Sequence, residues 1–342
     1  MNKTILITGG AGFIGIHSAA HFASNGWDVW ILDNFSRRGT ESNLEWLSRQ
    51  HKVNVFRCDI RNAEKVASIV LQVRPNVVLH LAAQVAVTTS VKDPREDFEI
   101  NALGTFNVLD AIRLHSADSF VIYSSTNKVY GQMESLGIEL RNGRWEYANM
   151  PNGVTENMPL DFHSPYGCSK GCADQYVIDF SRIYGLRAVT LRQSCIYGTR
   201  QFGIEDQGWV AWFSIAATLG KPITIYGDGR QIRDVLNVSD LTRAFECAIQ
   251  RQELISGNAL NIGGGPVNTL SLLELIEMLK QMLGTEPEVR FADWRPGDQK
   301  VFVSNIERAR NLLGWSPEIT VKKGLQELIE WTCTHRDLFS HL

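Results

Sequence analysis

The sequence predicts an α/β protein built on a doubly wound parallel sheet, with a smaller α/β lobe toward its C-terminal end. Three observations carry that prediction. Short apolar runs alternate with amphipathic stretches through the first half, as strands and their covering helices do in a parallel sheet. A glycine-rich turn follows the first of these runs. After Arg192 the alternation breaks, and short strand-like pieces fall between helical ones.

TILITG (4–9) reads as the first strand, and a helix follows it as far as 21–25. VWILD (29–33), VNVFRCD (53–59), VVLHLAA (77–83), FVIYSS (120–125) and RAVTLR (187–192) continue the series. Helices fill the gaps at AEKVASIVLQV (63–73), GTFNVLDAIRLH (104–115) and about 169–184. The stretch 132–161 is polar and aromatic without a period, and reads as a long loop of the kind that often serves function. Segments near 226–240 and 260–263 read as short strands or turns, and 270–283 and 323–334 carry helical apolar spacing. With no linker in view, the chain is expected to cross between units. Residues 1–192 plus about 236–262 form one, and about 193–235 plus 263–342 the other.

Composition narrows the class. At 342 residues, 44% hydrophobic, 21% charged and with a net charge of −3, the chain has the balance of an ordinary globular protein, and nothing basic enough to point to nucleic acid. No charged-then-apolar leader precedes the first strand, and no apolar run approaches the roughly 18 residues of a membrane span. The expected location is the cytoplasm. Six scattered cysteines lack metal-ligand spacing and read as reduced thiols, so no metal is expected.

The first strand runs into Gly9-Gly10-Ala11-Gly12-Phe13-Ile14-Gly15. Glycines there let the backbone approach a pyrophosphate, and the next helix offers it free N–H groups and a positive dipole end. This is the Rossmann-type arrangement, with GxxGxxG spacing rather than GxGxxG. Asp33 closes the second strand 18 residues after Gly15. A carboxylate there accepts hydrogen bonds from an adenosine ribose and repels a 2′-phosphate, which favours NAD over NADP even with Arg37 and Arg38 nearby. Asp59, ending another strand, fits either an adenine contact or a turn leading into a helix.

Tyr166 and Lys170 form a YxxxK pair, one turn apart on one helix face. A tyrosine with a pKa near ~10 is a poor base at neutral pH, but a nearby ammonium and an oxidised nicotinamide favour its phenolate. It then removes a hydroxyl proton while hydride leaves the carbon. Ser124-Ser125-Thr126 follows a strand at the sheet's C-terminal edge, where substrates bind, and a hydroxyl there steadies the reacting oxygen.

Together these residues resemble the extended short-chain dehydrogenase/reductase family of nucleotide-sugar enzymes. The resemblance runs through TGGAGFIG (8–15), HLAAQ (80–84), NALGT (101–105), SSTNKVYG (124–131), YGCSK (166–170), RQSCIYG (192–198), YGDGRQIRDVLNVSD (226–240) and RPGD (295–298). It implies catalysis by Thr126, Tyr166 and Lys170, with Asn101 behind the site. It also implies NAD contacts from Gly9, Gly12, Phe13, Ile14, Gly15, Asp33, Asn34, Ser36, Arg37, Asp59, Ile60, Leu81, Ala82, Ala83, Gln84, Asn101, Ser124, Tyr166 and Lys170. Sugar 4,6-dehydratases of the family carry an Asp-Glu pair after the threonine, where this chain has Asn127 and Lys128. An amide and an ammonium cannot do that acid–base work, so an epimerase is expected.

SSTNKVYG, the insert before DFHSPYGCSKG (161–171) and RQFGIEDQGWVAWF (200–213) resemble the 2-epimerase branch, whose substrates are CDP-linked hexoses. A 4-epimerase using the same trio remains open. Thr126, Asn127, Cys195, Gln201, Gln207 and Trp209 are candidate substrate contacts, with Arg233 and Arg295 candidate clamps for the diphosphate. Cys195 replaces the asparagine frequent in RxxNxYG. Trp209 and Trp212 fit either core packing or base stacking, and His163 either a loop hydrogen bond or catalysis. The helices 104–115 and about 169–184 imply pairing across a homodimer or homotetramer.

Overall fold

The computed structural model describes residues 3–133, 135–295 and 298–340. Its first strands are β1 (Thr4–Thr8), β2 (Asp28–Asp33), β3 (Asn54–Arg57), β4 (Val77–His80) and β5 (Phe120–Thr126). A hairpin, β6 (Ile138–Arg141) and β7 (Arg144–Tyr147), precedes β8 (Arg187–Gln193) and β9 (Cys195–Tyr197). The remaining strands are β10 (Ile223–Tyr226), β11 (Ile232–Asn237), β12 (Ala259–Ile262), β13 (Thr269–Ser271), β14 (Val289–Ala292) and β15 (Val301–Phe302).

Seven strands form one parallel sheet in the order β12-β8-β5-β4-β1-β2-β3. Side chains alternate between its faces, so Ile5 and Ile7 pack in one core and Leu6 in the other. Helices Phe13–Ser24 and Val238–Gln250 cover the first face, and Ala63–Val73, Gly104–His115 and Ser164–Tyr184 the second. The chain diverges on either side of β1 and β4, leaving a crevice at their C-terminal ends. The lobe holds two small sheets, β13-β11-β15 with β9 beside β11, and β10 with β14.

The structure departs from the sequence reading in four places. The stretch 132–161 contains a β-hairpin turning at Asn142 and Gly143, both with positive φ (50° and 81°), which is the backbone a two-residue hairpin turn requires. That hairpin also packs across the expected division. Trp145 Nε1 donates to Asp228 Oδ2 (2.8 Å) and Arg144 to Glu274 (3.1 Å), while Tyr147 packs with Ile232 and Phe302. Residues 306–315 cross the other way: Ile306, Ala309, Leu313 and Trp315 bury their side chains in the main sheet's core rather than the lobe's. Finally, the helix read from about 169 starts at Ser164, because Pro165 sits in its first turn, where no N–H is required.

Beneath the crevice lies a buried ion pair. Arg192 on β8 donates to Asp174 through Nε (3.1 Å) and Nη2 (2.9 Å). Ser125 on β5 adds a third bond to Asp174 (2.7 Å), and Arg192 Nη1 reaches Tyr130, whose hydroxyl donates to Asn261 on β12 (2.7 Å). Asp174→Ala strands a buried guanidinium and is expected to lower stability by about 3–5 kcal/mol. Urea unfolding of the variant checks this; a midpoint unchanged from wild type would contradict it.

Candidate active site

At the end of β1 the Gly9 N–H donates to the Leu32 carbonyl (2.7 Å) and its φ is 66°. A Cβ at Gly9 would lie 2.8 Å from the Ala82 nitrogen, and one at Gly15 would run into the Gly9 carbonyl oxygen. The backbone is therefore as closely packed as only glycine permits. Helix Phe13–Ser24 starts at Gly12 with no side-chain cap, so its first N–H groups face the crevice.

Asp33 braces this loop, accepting from the Phe35 N–H (2.8 Å) and the Ala11 N–H (3.0 Å). Burial pushes its pKa above the usual carboxylate range while those bonds oppose the rise. Asp59 lines the crevice and also closes a turn. It accepts from Arg61 N (2.9 Å), Arg61 Nη2 (2.8 Å) and Asn34 Nδ2 (3.0 Å), and the Arg61 side chain leads the drop of its pKa to about 2. Arg37 reaches across to Gln207, joining the two walls. The cavity, about 380 Å³, is also lined by Phe13, Ile14, Ser36, Ile60, Leu81, Ala82, Ala83 and Ser124.

Thr126 ends β5, and Tyr166 and Lys170 stand on helix Ser164–Tyr184; all three line the cavity. Thr126 Oγ1 accepts from the Lys128 N–H (3.2 Å) and donates to Asn127 Oδ1 (3.3 Å). The Tyr166 N–H donates to Ser90 Oγ (3.1 Å), and the preceding Ser164 holds a left-handed φ of 67°, a strained conformation for a residue other than glycine. Burial pushes the Tyr166 phenol up to about 12, against the downward pull of a hydrogen bond with Thr126 and of the Arg37 charge. Burial also pulls Lys170 down to about 7, opposed by Asp174 and Asp97. Lys170 Nζ donates to the Ser124 carbonyl (2.6 Å), its ammonium 4.3 Å from the centre of the Tyr123 ring. Within the protein alone, burial outweighs the charges that favour the Tyr166 phenolate.

Two expected cofactor contacts, Gln84 and Asn101, are not among the residues lining the cavity, and Asn101 stands behind it as the resemblance implies. Asn101, in the π-helical turn Glu99–Leu103, accepts from Gln84 N (2.9 Å) and donates to Asp97 and Ser169 (3.1 Å each). Gln84 Nε2 donates to Asp97 (2.7 Å) and to the Ala86 carbonyl (2.9 Å). Both brace the back of the site because the buried Asp97 carboxylate needs donors. The sequence reading missed His80, whose Nδ1 lies 2.6 Å from Thr8 Oγ1 and Nε2 3.0 Å from Thr105 Oγ1; burial drives it to about 3, a neutral ring. Its signal stood in HLAAQ and NALGT.

On the substrate side Cys195, Gln201, Gln207 and Trp209 line the cavity, whereas Asn127, Arg233 and Arg295 do not. Arg233 is held by Asp298 (2.7 Å), and Arg295 by Asp206 (3.0 Å) over the Tyr226 ring (3.8 Å). Both guanidinium groups are paired with carboxylates. Pro296 and Gly297 of RPGD lie outside the described residues. Trp212 packs in the lobe core, and exposed His163 bonds Asp161 (2.9 Å), a loop hydrogen bond. The sequence reading also missed Gln193, Ser194 and Arg200 on the wall. Gln193 Nε2 and Gln201 Oε1 are buried there with no partner among the described residues, and the glycine cradle leaves room for a pyrophosphate; the residues fit a dinucleotide and a polar ligand beside it. No cluster of metal-ligating residues occurs among the described residues.

A cradle at the sheet's switch point, facing threonine, tyrosine and lysine, defines a class: the extended short-chain dehydrogenases/reductases that act on nucleotide sugars. The chain belongs to that class and, within it, to the GDP-mannose 4,6 dehydratase family, which its residues 6–328 match. It is 44% identical to CDP-paratose 2-epimerase of Salmonella typhi over 96% of this chain and 98% of that one. It is 33% identical to a putative UDP-glucose 4-epimerase of Methanocaldococcus jannaschii, over 96% and 97%. The UDP-glucose 4-epimerase of Thermus thermophilus, solved in complex with NAD, superposes with a TM-score of 0.80 at 30% identity, over 96% and 98%.

Gly15→Ala is expected to weaken cofactor binding roughly ten- to a hundredfold, following an overpacking penalty of about 1–3 kcal/mol. Nicotinamide content of the purified variant measures this; full wild-type occupancy would contradict the cradle.

Proposed function

We propose that the protein is an NAD-dependent epimerase that inverts C2 of a CDP-linked hexose, with CDP-paratose and CDP-tyvelose as its reacting pair. The observation that carries this reading is the 44% identity to a CDP-paratose 2-epimerase along 98% of that relative. The site supports it: Asn127 and Lys128 stand beside Thr126 where dehydration would need carboxylates. The family's name therefore describes a chemistry that this site does not support.

When bound, NAD supplies a hydride acceptor and donor and, while oxidised, a positive charge that favours the Tyr166 phenolate. Gly9, Gly12 and Gly15 and the start of helix Phe13–Ser24 would hold its pyrophosphate, with Asp33 toward the ribose. Tyr166 Oη takes the proton of the C2 hydroxyl, and Thr126 Oγ1 orients that oxygen. Lys170 supports the phenolate by its charge, which Asp174 and Asp97 favour. The 2-keto sugar then turns within the pocket and presents its other face, and Tyr166 Oη returns the proton. Arg37 and Gln207, joined across the crevice, close it against water. Arg233 and Arg295 are proposed to exchange their carboxylate partners for the substrate diphosphate.

We further place the protein in the cytoplasm as a homodimer or homotetramer. Phe106, Leu114, Tyr176, Ile183 and Tyr184 are exposed on helices Gly104–His115 and Ser164–Tyr184, which supports pairing through that face. No helix among the described residues is long and apolar enough to cross a membrane.

Tyr166→Phe is expected to lower turnover ~10²–10⁴-fold by removing the proton relay; near-wild-type turnover would sink the assignment. The reaction itself is tested by incubating purified protein, without added cofactor, with CDP-paratose and with UDP-hexoses, and identifying products by NMR. Inversion at C2 of the CDP-sugar is the expected result. Inversion at C4 would keep the trio and make the protein a 4-epimerase instead.

A further inference from the structure

We propose that Lys128 binds the sugar-side phosphate of the substrate and thereby sets C2, rather than C4, against Tyr166 and Thr126. This rests on the reading above. Lys128 is fixed to the reacting centre by its own backbone, whose N–H holds Thr126 Oγ1 at 3.2 Å in the short helix Asn127–Tyr130. Its side chain is half-buried and reaches between the two units, where Nζ meets the neutral Gln299 Oε1 at 3.2 Å.

The charged and titratable neighbours acting on it are Arg233, Asp298 and the Cys195 thiol. The single carboxylate of that set already accepts from Arg233 (2.7 Å) and from the Gln299 N–H (3.0 Å). Lys128 has no ion pair among the described residues. An ammonium drawn out of water beside a guanidinium and left with an amide partner carries a desolvation penalty that an anion would relieve. Burial first, and Arg233 second, pull it down to about 8.

Ring chemistry then selects the anion and the carbon. The C2 hydroxyl is vicinal to C1, which bears the phosphate, so a sugar reacting at C2 must bring that phosphate close to Thr126. A sugar reacting at C4 holds it across the ring. A carboxylate at position 128 would repel the phosphate in the C2 orientation; an ammonium attracts it.

The test uses the full-length protein with its bound cofactor and the variants Lys128→Gln and Lys128→Arg. CDP and CMP are titrated calorimetrically, and KM and kcat are measured with CDP-paratose. Lys128→Gln is expected to lose about tenfold or more in CDP affinity, the weight of a charged hydrogen bond, with CMP affinity, nicotinamide content and melting temperature unchanged. KM should rise in parallel, and Lys128→Arg should restore most of both. Equal loss for CDP and CMP, or no loss for CDP, overturns the phosphate assignment. Wild-type inversion at C4 overturns the C2 reading itself, whatever the variants do.

Discussion

Two ends of the Arg192 guanidinium grip the Asp174 carboxylate in a place with no solvent, and the active site is assembled above that grip. A buried ion pair is favourable only when its remaining polar valences are filled. Here Ser125 fills one on Asp174, and Tyr130, bonded onward to Asn261, fills one on Arg192. The network locks β5, β8 and β12 to helix Ser164–Tyr184. Thr126 is the residue after Ser125, and Lys170 stands one turn before Asp174. The relation between the Thr126 hydroxyl and helix Ser164–Tyr184 is thus fixed from below.

Electrostatics complete the arrangement. Burial raises Tyr166 and lowers Lys170, so each group leans toward its neutral state. An oxidised nicotinamide bound beside Tyr166 would oppose that burial and favour the phenolate. Buried Asp97, held by Gln84, Asn101 and Ser169, sits behind the same lysine and keeps part of its charge. Lys128, two residues after Thr126, is a cation where a dehydratase would need a carboxylate.

Local patterns in the sequence were legible where one stretch of chain decides the outcome. β1 and its glycine turn follow from apolar alternation and steric need, and the Tyr166–Lys170 pair from helical spacing. The hairpin around Asn142 and Gly143 was signalled locally too, but its strands are short and half-exposed and lack a clear alternation. Long-range partners stayed hidden. Nothing near Gln84 in sequence shows that Asp97, 13 residues on, accepts from its side chain. Nothing near Arg295 shows that Asp206 meets it. The packing of 306–315 under the main sheet likewise depends on surfaces that exist only once the fold has closed.

In the proposed reaction the inverted carbon surrenders and regains its own hydrogen within the crevice. CDP-paratose carrying deuterium at C2, turned over in ordinary water, tests this most directly. CDP-tyvelose that retains the deuterium at C2 is the expected product, because hydride would leave and return without meeting solvent. Loss of the label to water during inversion at C2, or inversion at another carbon with C2 untouched, would contradict it.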